Sequence, residues 1–327
     1  MIVSATLLVF AVLVATLGAR WLQAARWPDR SPLLGIWAWQ ALSVSVVLAA
    51  VLAGVTLTVP ELPFGSQTAE LLHACWLAVK ERYSTSAGAL AATLGLIAAA
   101  MIAGRLAQCL IHTWRQVWVC RGRQRQRLEL LNPPPLNFPP LDSRYLSTAP
   151  RRVVAVPSPL PLVYCLPGRR GLVVYTTAAQ SLLAAGQLAA VLAHEQAHLR
   201  ERHDLALLGA AALRLAFPFV PAFRQAEAAI AELVEMRADD AAVAYHPPRV
   251  LAEALLLLAE TPVPAAALGA GGVTAVARFD RLLRSRRPLG RRGIPVAVAA
   301  LALAVLPLAI AALPAAVAVV LDYCPPA

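Results

Sequence analysis

Two histidines four residues apart enclose a glutamate in the run His194-Glu195-Gln196-Ala197-His198. The run lies within Gln187–Arg202, a stretch of good helix formers without an internal Gly or Pro. On a helix, residues four apart share a face, so both imidazoles can bind one metal ion. Glu195 sits one step round the helix, close enough to reach a water on that ion without having to ligate it. Two nitrogen ligands beside an adjacent base is the arrangement a zinc hydrolase uses. The competing reading of these five residues alone is a solvated helix face with two unrelated histidines.

A catalytic zinc takes three protein ligands and leaves one position open. The third ligand is expected from a second helix at residues 224–245, preceded by Pro218 and Pro221 and stopped by Pro247-Pro248. Within it Glu235 and Asp239 share a face at i, i+4. Glu235 is placed to ligate. Asp239, one turn along, is placed to accept the free N–H of a ligand histidine and fix its tautomer. Glu232 competes for the ligand role, but Met236 stands where its acidic partner would be. The expected site is therefore one zinc per chain, held by His194, His198 and Glu235, with Glu195 as the base. His246, at a helix end before Pro-Pro, is a candidate transition-state donor. His203, five residues after His198 and half a turn off its face, is expected to be solvated.

The chain that must position these residues is unlike a soluble domain. Of its 327 residues 59% are hydrophobic and 14% charged, with a mean hydropathy of +0.64. Ordinary soluble domains carry about 25% charge. A simple soluble globule and a disordered chain are both excluded. A bilayer core needs about 20 apolar residues, and transmembrane helices are expected at about 2–19, 35–58, 84–105 and 294–321. No Lys or Arg precedes Arg20. The first run thus lacks the basic start of a signal peptide and reads as an uncleaved helix.

The net charge is +11, and Lys80 is the only lysine. Arginines cluster after the first helix (Arg20, Arg26, Arg30), after the third (Arg105 to Arg127) and before the fourth (Arg281 to Arg292). The positive-inside rule puts those segments in the cytoplasm. The N-terminus, the 61–82 loop with Glu61, Glu70 and Glu81, and the tail after Leu321 then lie outside. The same rule accounts for the basic balance, so no direct nucleic-acid partner is expected.

The expected architecture is an α+β membrane protein of the cell membrane. Residues 1–120 form a membrane region of three helices with a basic stretch, 121–293 a cytoplasmic domain, and 294–327 a fourth helix with a short extracellular tail. The domain opens on a proline-rich linker, Asn132–Pro140. Short strands are expected at Val153–Val156, Leu162–Leu166 and Leu172–Tyr175, punctuated by Ser158-Pro159 and Pro167-Gly168. Leu205–Phe223, apolar but for Arg214, reads as either a core helix or a segment dipping into the bilayer. The five cysteines have no metal-type spacing. Cys109, Cys120 and Cys165 are expected as free thiols, while Cys75 and Cys324 share the outer side.

HExxH followed about forty residues later by Glu235-Met236-Arg237-Ala238-Asp239 resembles the gluzincin membrane metallopeptidases. The wider context is similar to the BlaR/MecR-type antirepressor family, whose protease domain lies between the third and fourth transmembrane helices. The stretches that carry the resemblance are Tyr164–Gly168, Val173–Thr177, Leu192–Leu199 and Glu232–Asp240. It implies a cytoplasmic gluzincin-type zinc protease domain with a small β-sheet, an HExxH helix and a ligand-bearing helix. It implies hydrolysis of peptide bonds in a cytoplasmic protein, either a BlaI/MecI-type transcriptional repressor or the chain itself. Antibiotic-sensing members carry an extracellular penicillin-binding domain after the last helix. Here the sequence ends six residues beyond Leu321, so β-lactam sensing by this chain alone is not expected. CAAX-type and heat-shock membrane proteases, which serve processing and quality control, share both motifs with a different helix layout. A non-catalytic zinc-binding membrane protein would have no use for Glu195. A homodimer is compatible with the sequence and not required by it.

Overall fold

The computed structural model describes residues 2–58, 85–130, 152–168, 171–259, 278–284 and 289–323. The acidic 61–82 loop, the proline-rich Asn132–Pro140, Cys75 and Cys324 lie outside the described residues. Helix α1 (Ile2–Ala24) contains one π-turn at Val14–Gly18, α2 spans Pro32–Thr58 and α3 spans Ser86–Leu130. Strands β1 (Arg152–Val156), β2 (Val163–Leu166) and β3 (Leu172–Thr176) follow. Then come α4 (Thr177–Leu182), α5 (Ala185–Arg200), α6 (His203–Ala216), α7 (Pro221–Ala242) and α8 (Pro248–Ala259). Helical turns at 278–283 lead to α9 (Ile294–Tyr323). Among the described residues, helices α1, α2, α3 and α9 are the four that are long and apolar enough to cross a membrane.

Helix α2 sits in the middle of this bundle and packs on α1, α3 and α9. Gly54 of α2 and Gly95 of α3 meet backbone to backbone. A Cβ on Gly95 would lie 2.7 Å from the Gly54 carbonyl oxygen, and a Cβ on Gly54 would strike the Gly95 carbonyl. Small residues permit such close approach between membrane helices. Ser4 Oγ and Thr56 Oγ1, 2.9 Å apart, tie α1 to α2 inside the bundle.

The third helix does not stop near Arg105 as expected. It continues to Leu130, 45 residues in all, or about 67 Å at 1.5 Å per residue. Nothing in Arg105–Leu130 ends it, because the segment has no proline and is rich in Arg, Gln and Leu, all strong helix formers. The helix therefore runs straight through the boundary expected at 120/121. Its far half docks on the rest of the chain. Arg121 Nη1 lies 3.1 Å from Asp204 Oδ2, and Arg125 Nη2 donates to the Pro167 carbonyl at 3.3 Å.

The sheet has three strands in the order β1-β3-β2, with β1 parallel and β2 antiparallel to β3. Alternate residues of a strand face opposite sides. Val173 and Tyr175 enter the core shared with Leu188, Val191 and Leu251, while Val174 packs with Leu166 against Leu128 of α3. The sheet is thus held between the end of α3 and helices α5 and α8. Thr176 caps α4 by accepting from the Ala179 amide at 3.2 Å.

Helix α7 has two working faces. Ile230, Leu233 and Val234 share a core with Trp39 and Leu42 of α2. Gly35 of α2 is so close to Leu233 that a Cβ there would stand 2.9 Å from its methyl. The opposite face of α7 turns to α5. Helix α6 packs between α3 and α7. Its 14 residues reach about 21 Å, short of the ~30 Å hydrocarbon core.

Candidate metal centre

Where α5 meets α7, Ala197 packs on Ala238 and Ala241. Small residues at this contact bring the backbones close enough for longer side chains beside it to converge. His194 Nε2 and His198 Nε2 are 3.1 Å apart, and each lies 3.4 Å from a Glu235 carboxylate oxygen. Zinc holds such ligands at about 2.0–2.1 Å, so two of them at a tetrahedral angle stand about 3.3 Å apart. The two imidazole nitrogens stand near that distance, their contacts to Glu235 run to its two different oxygens, and one donor atom from each of the three side chains lies within 4.8 Å of the others, close enough for one metal ion. Among the described residues this is the one His/Cys/Asp/Glu group of its kind. Glu232 is not part of this group and lines a separate cavity with Asp29 of the α1–α2 connection and Trp39 of α2.

Asp239 stands where the i, i+4 spacing puts it. It is fully buried, and its Oδ1 lies 3.0 Å from His194 Nδ1. The approach is off the line of the ring N–H, which makes it a charge contact more than a formed hydrogen bond. Its strongest partner is one that sequence reasoning missed, Arg278. The guanidinium Nε and Nη2 donate to Asp239 Oδ2 and Oδ1 at 2.8 and 2.6 Å, and Nη1 reaches Glu235 Oε2 at 2.9 Å. Arg278 thus bridges the candidate ligand and the carboxylate behind it. Fork-shaped pairing of this kind is what a guanidinium does best.

His203 corrects a second expectation. It is buried, not solvated, and its Nδ1 lies 2.9 Å from His198 Nδ1. The helical spacing that put it off the His198 face does not apply, because α5 ends at Arg200 and α6 begins at His203.

Glu195 lies beside the donor group, and the Cys165 thiol of β2 stands close enough to its carboxylate to influence it. Burial above all raises the Glu195 pKa against that influence. Burial, together with the neighbouring carboxylate charge, raises the Cys165 pKa in turn. Burial disfavours charge on His194, but Asp239 and Glu235 outweigh it and raise that pKa to about 9. Burial and the His194 charge push His198 down to about 3. Against its own burial, Glu235 is held at about 2 by His194 and Arg278. Asp239, also opposed by burial, is kept well below the carboxylate range by Arg278 and His194. In the metal-free arrangement His194 thus carries a proton that a bound cation would displace.

His246 lies at the turn after α7, where its amide donates to the Ala242 carbonyl at 3.1 Å. It is buried and is not one of the three residues of the donor group. A cavity of about 420 Å³ opens beside His198, with Val117 and Arg121 of α3, Leu166 of β2 and Leu207 of α6 in its walls.

Fold and site together define a class: an α+β chain with four helices able to cross a membrane and an HExxH-type donor group set between two packed helices. The segment carrying the group, residues 146–278, matches the model of Peptidase family M48, a family of metal-dependent peptidases. The match extends as far as Arg278. Comparisons with curated proteins and with solved structures give no match.

Proposed function

We propose that the chain is an integral membrane zinc endopeptidase in which His194, His198 and Glu235 hold the metal and Glu195 is the catalytic base. The observation that carries this reading is the His194, His198 and Glu235 donor group, gathered within 4.8 Å, beside a carboxylate that is not part of it. A bound zinc supplies Lewis acidity towards the scissile carbonyl and towards water. Glu195 takes a proton from the attacking water on its carboxylate and returns it to the leaving amine nitrogen. Burial, which raises its pKa, makes that carboxylate a better proton acceptor. Asp239 and Arg278 orient His194 and Glu235. β2 is an edge strand whose Cys165 reaches Glu195. A peptide extended along that edge gains backbone hydrogen bonds with little side-chain selection.

The arginine-rich connections support a site on the cytoplasmic face. The BlaR/MecR-type resemblance favours a cytoplasmic transcriptional repressor, or the chain itself, as the substrate. The test is cleavage of a co-expressed candidate repressor, with an unfolded membrane protein as the quality-control alternative. Glu195→Gln keeps size and shape but removes the base. Its activity should fall by about 10²–10⁴-fold while zinc stays bound. Cleavage at the wild-type rate by Glu195→Gln refutes the mechanism.

A further inference from the structure

The break between α5 and α6 has a chemical consequence. Glu201 caps α5, and Arg202 then adopts φ 55° and ψ 41°, the one positive φ outside glycine among the described residues. This left-handed residue folds the chain back so that His203 meets His198. The two rings stand edge to face with centroids 4.8 Å apart and Nδ1 atoms 2.9 Å apart. On its other side His203 Nε2 faces Glu201 Oε2 at 3.5 Å. Glu201 accepts from Nε and Nη2 of Arg237 at 2.7 and 2.9 Å. Arg237 lies two residues beyond Glu235, so this chain of contacts begins at one candidate ligand and ends beside another.

Two ring nitrogens at that distance need one proton between them. His198 turns Nε2 to the donor group, and a ligating nitrogen must be bare, which puts the proton of the neutral ring on Nδ1. That proton is donated to His203 Nδ1. The proton of His203 is then on Nε2, on the side of the Glu201 carboxylate, which is a charge contact at 3.5 Å and not a formed hydrogen bond.

We infer that His203 is a positioning residue that fixes the Nδ1–H tautomer of His198 and leaves its Nε2 bare for a metal, with Glu201 and Arg237 holding His203 in place. His194 is set by a carboxylate, Asp239, and His198 by a second imidazole. The inference rests on the proposed ligand role of His198, and two experiments separate the failure of one from the failure of the other.

The first is zinc affinity of the full-length protein in detergent, read by competition with a chelating dye beside thermal melting of the zinc-free form. His203→Leu fills the space without an acceptor. His203→Asn places an amide oxygen near the position of Nδ1. Loss of such a partner typically costs about 10–100-fold in metal affinity, so His203→Leu should weaken zinc by that range and His203→Asn should recover most of it. Wild-type affinity in His203→Leu overturns the inference. So does an equal loss in both variants when both melt like wild type, since shape and not the acceptor would then matter. The second is nitrogen NMR of histidine-labelled, zinc-free wild type, with His198 assigned by its loss in His198→Gln. His198 should be protonated on Nδ1 and bare on Nε2. The opposite tautomer overturns the inference even if zinc binds. The expected tautomer in a protein that takes up no zinc upholds it and removes the metal reading alone.

Discussion

Replacing Arg278 by Gln should destabilise the protein more than any other loss of a single arginine contact in the described structure. The arginine makes three contacts of 2.6 to 2.9 Å with Asp239 and Glu235, and Asp239 is fully buried. Removing one partner of a buried pair leaves an uncompensated charge, at a cost of about 3–5 kcal/mol. For a folded unit of this size each kcal/mol is worth about 2–4 °C in Tm, so Arg278→Gln should lower the melting temperature by about 6–20 °C. The control is Arg284→Gln. Arg284 Nε is 2.7 Å from Asp280 Oδ1 in an i, i+4 pair, but both side chains are about half exposed or more. An exposed helical pair contributes about 0.3–0.5 kcal/mol, so this variant should melt within about 2 °C of wild type. A double variant, Arg278→Gln with Asp239→Asn, removes both charges and should recover part of the loss. The assay is thermal melting of zinc-free protein in detergent, followed by circular dichroism. If Arg278→Gln and Arg284→Gln melt together, burial is not what makes the Arg278 contacts matter, and the account of how Glu235 and Asp239 are held fails.

Purified wild type should contain close to one zinc per chain by elemental analysis, and His194→Ala should lose most of it; a metal-free wild type purified without chelator would count against the donor group. Asp239→Ala should lose about 10–100-fold in metal affinity or activity, with cleavage partly restored by added zinc. Reporter fusions after Arg127 and after Leu321 should report opposite sides of the membrane, and a shared side would mean a miscounted span. Gly54→Leu puts a side chain where the Gly95 carbonyl stands, so it should make the bundle easier to proteolyse in detergent; unchanged resistance would show that the α2–α3 crossing is not tight.

Much of the site is written in local spacing. His194, His198, Glu235 and Asp239 are pairs at i, i+4 on two helices, the second bounded by Pro221 and Pro247-Pro248, and helix geometry alone puts each pair on one face. The three strands are short apolar runs between Pro and Gly signals, and they form within a residue or so of expectation. What could not be read depends on events between elements. Arg278 is 39 residues from Asp239, a separation that no periodicity covers, and in sequence it is one more arginine near a membrane helix. The position of His203 depends on the helix break at Arg202, where neither Gly nor Asn announces the left-handed turn. The full length of α3 is not legible, because a hydropathy pattern marks where a span leaves the apolar layer, near Arg105, and says nothing of where the helix ends.

In mechanical terms α3 is a lever. Its fulcrum is the Gly54–Gly95 crossing inside the apolar bundle, and its load is the cavity wall beside His198, where Val117 and Arg121 stand. From Gly95 to Arg121 is 26 residues of unbroken helix, an arm of about 39 Å. A tilt of about 5° at the fulcrum swings Arg121 by about 3.4 Å over an arm of that length. That is as large as the 3.1 Å separation that joins Arg121 to Asp204. Because the arm has no hinge, a displacement too small to disturb the packing of apolar helices arrives at the cavity magnified to the width of an atom.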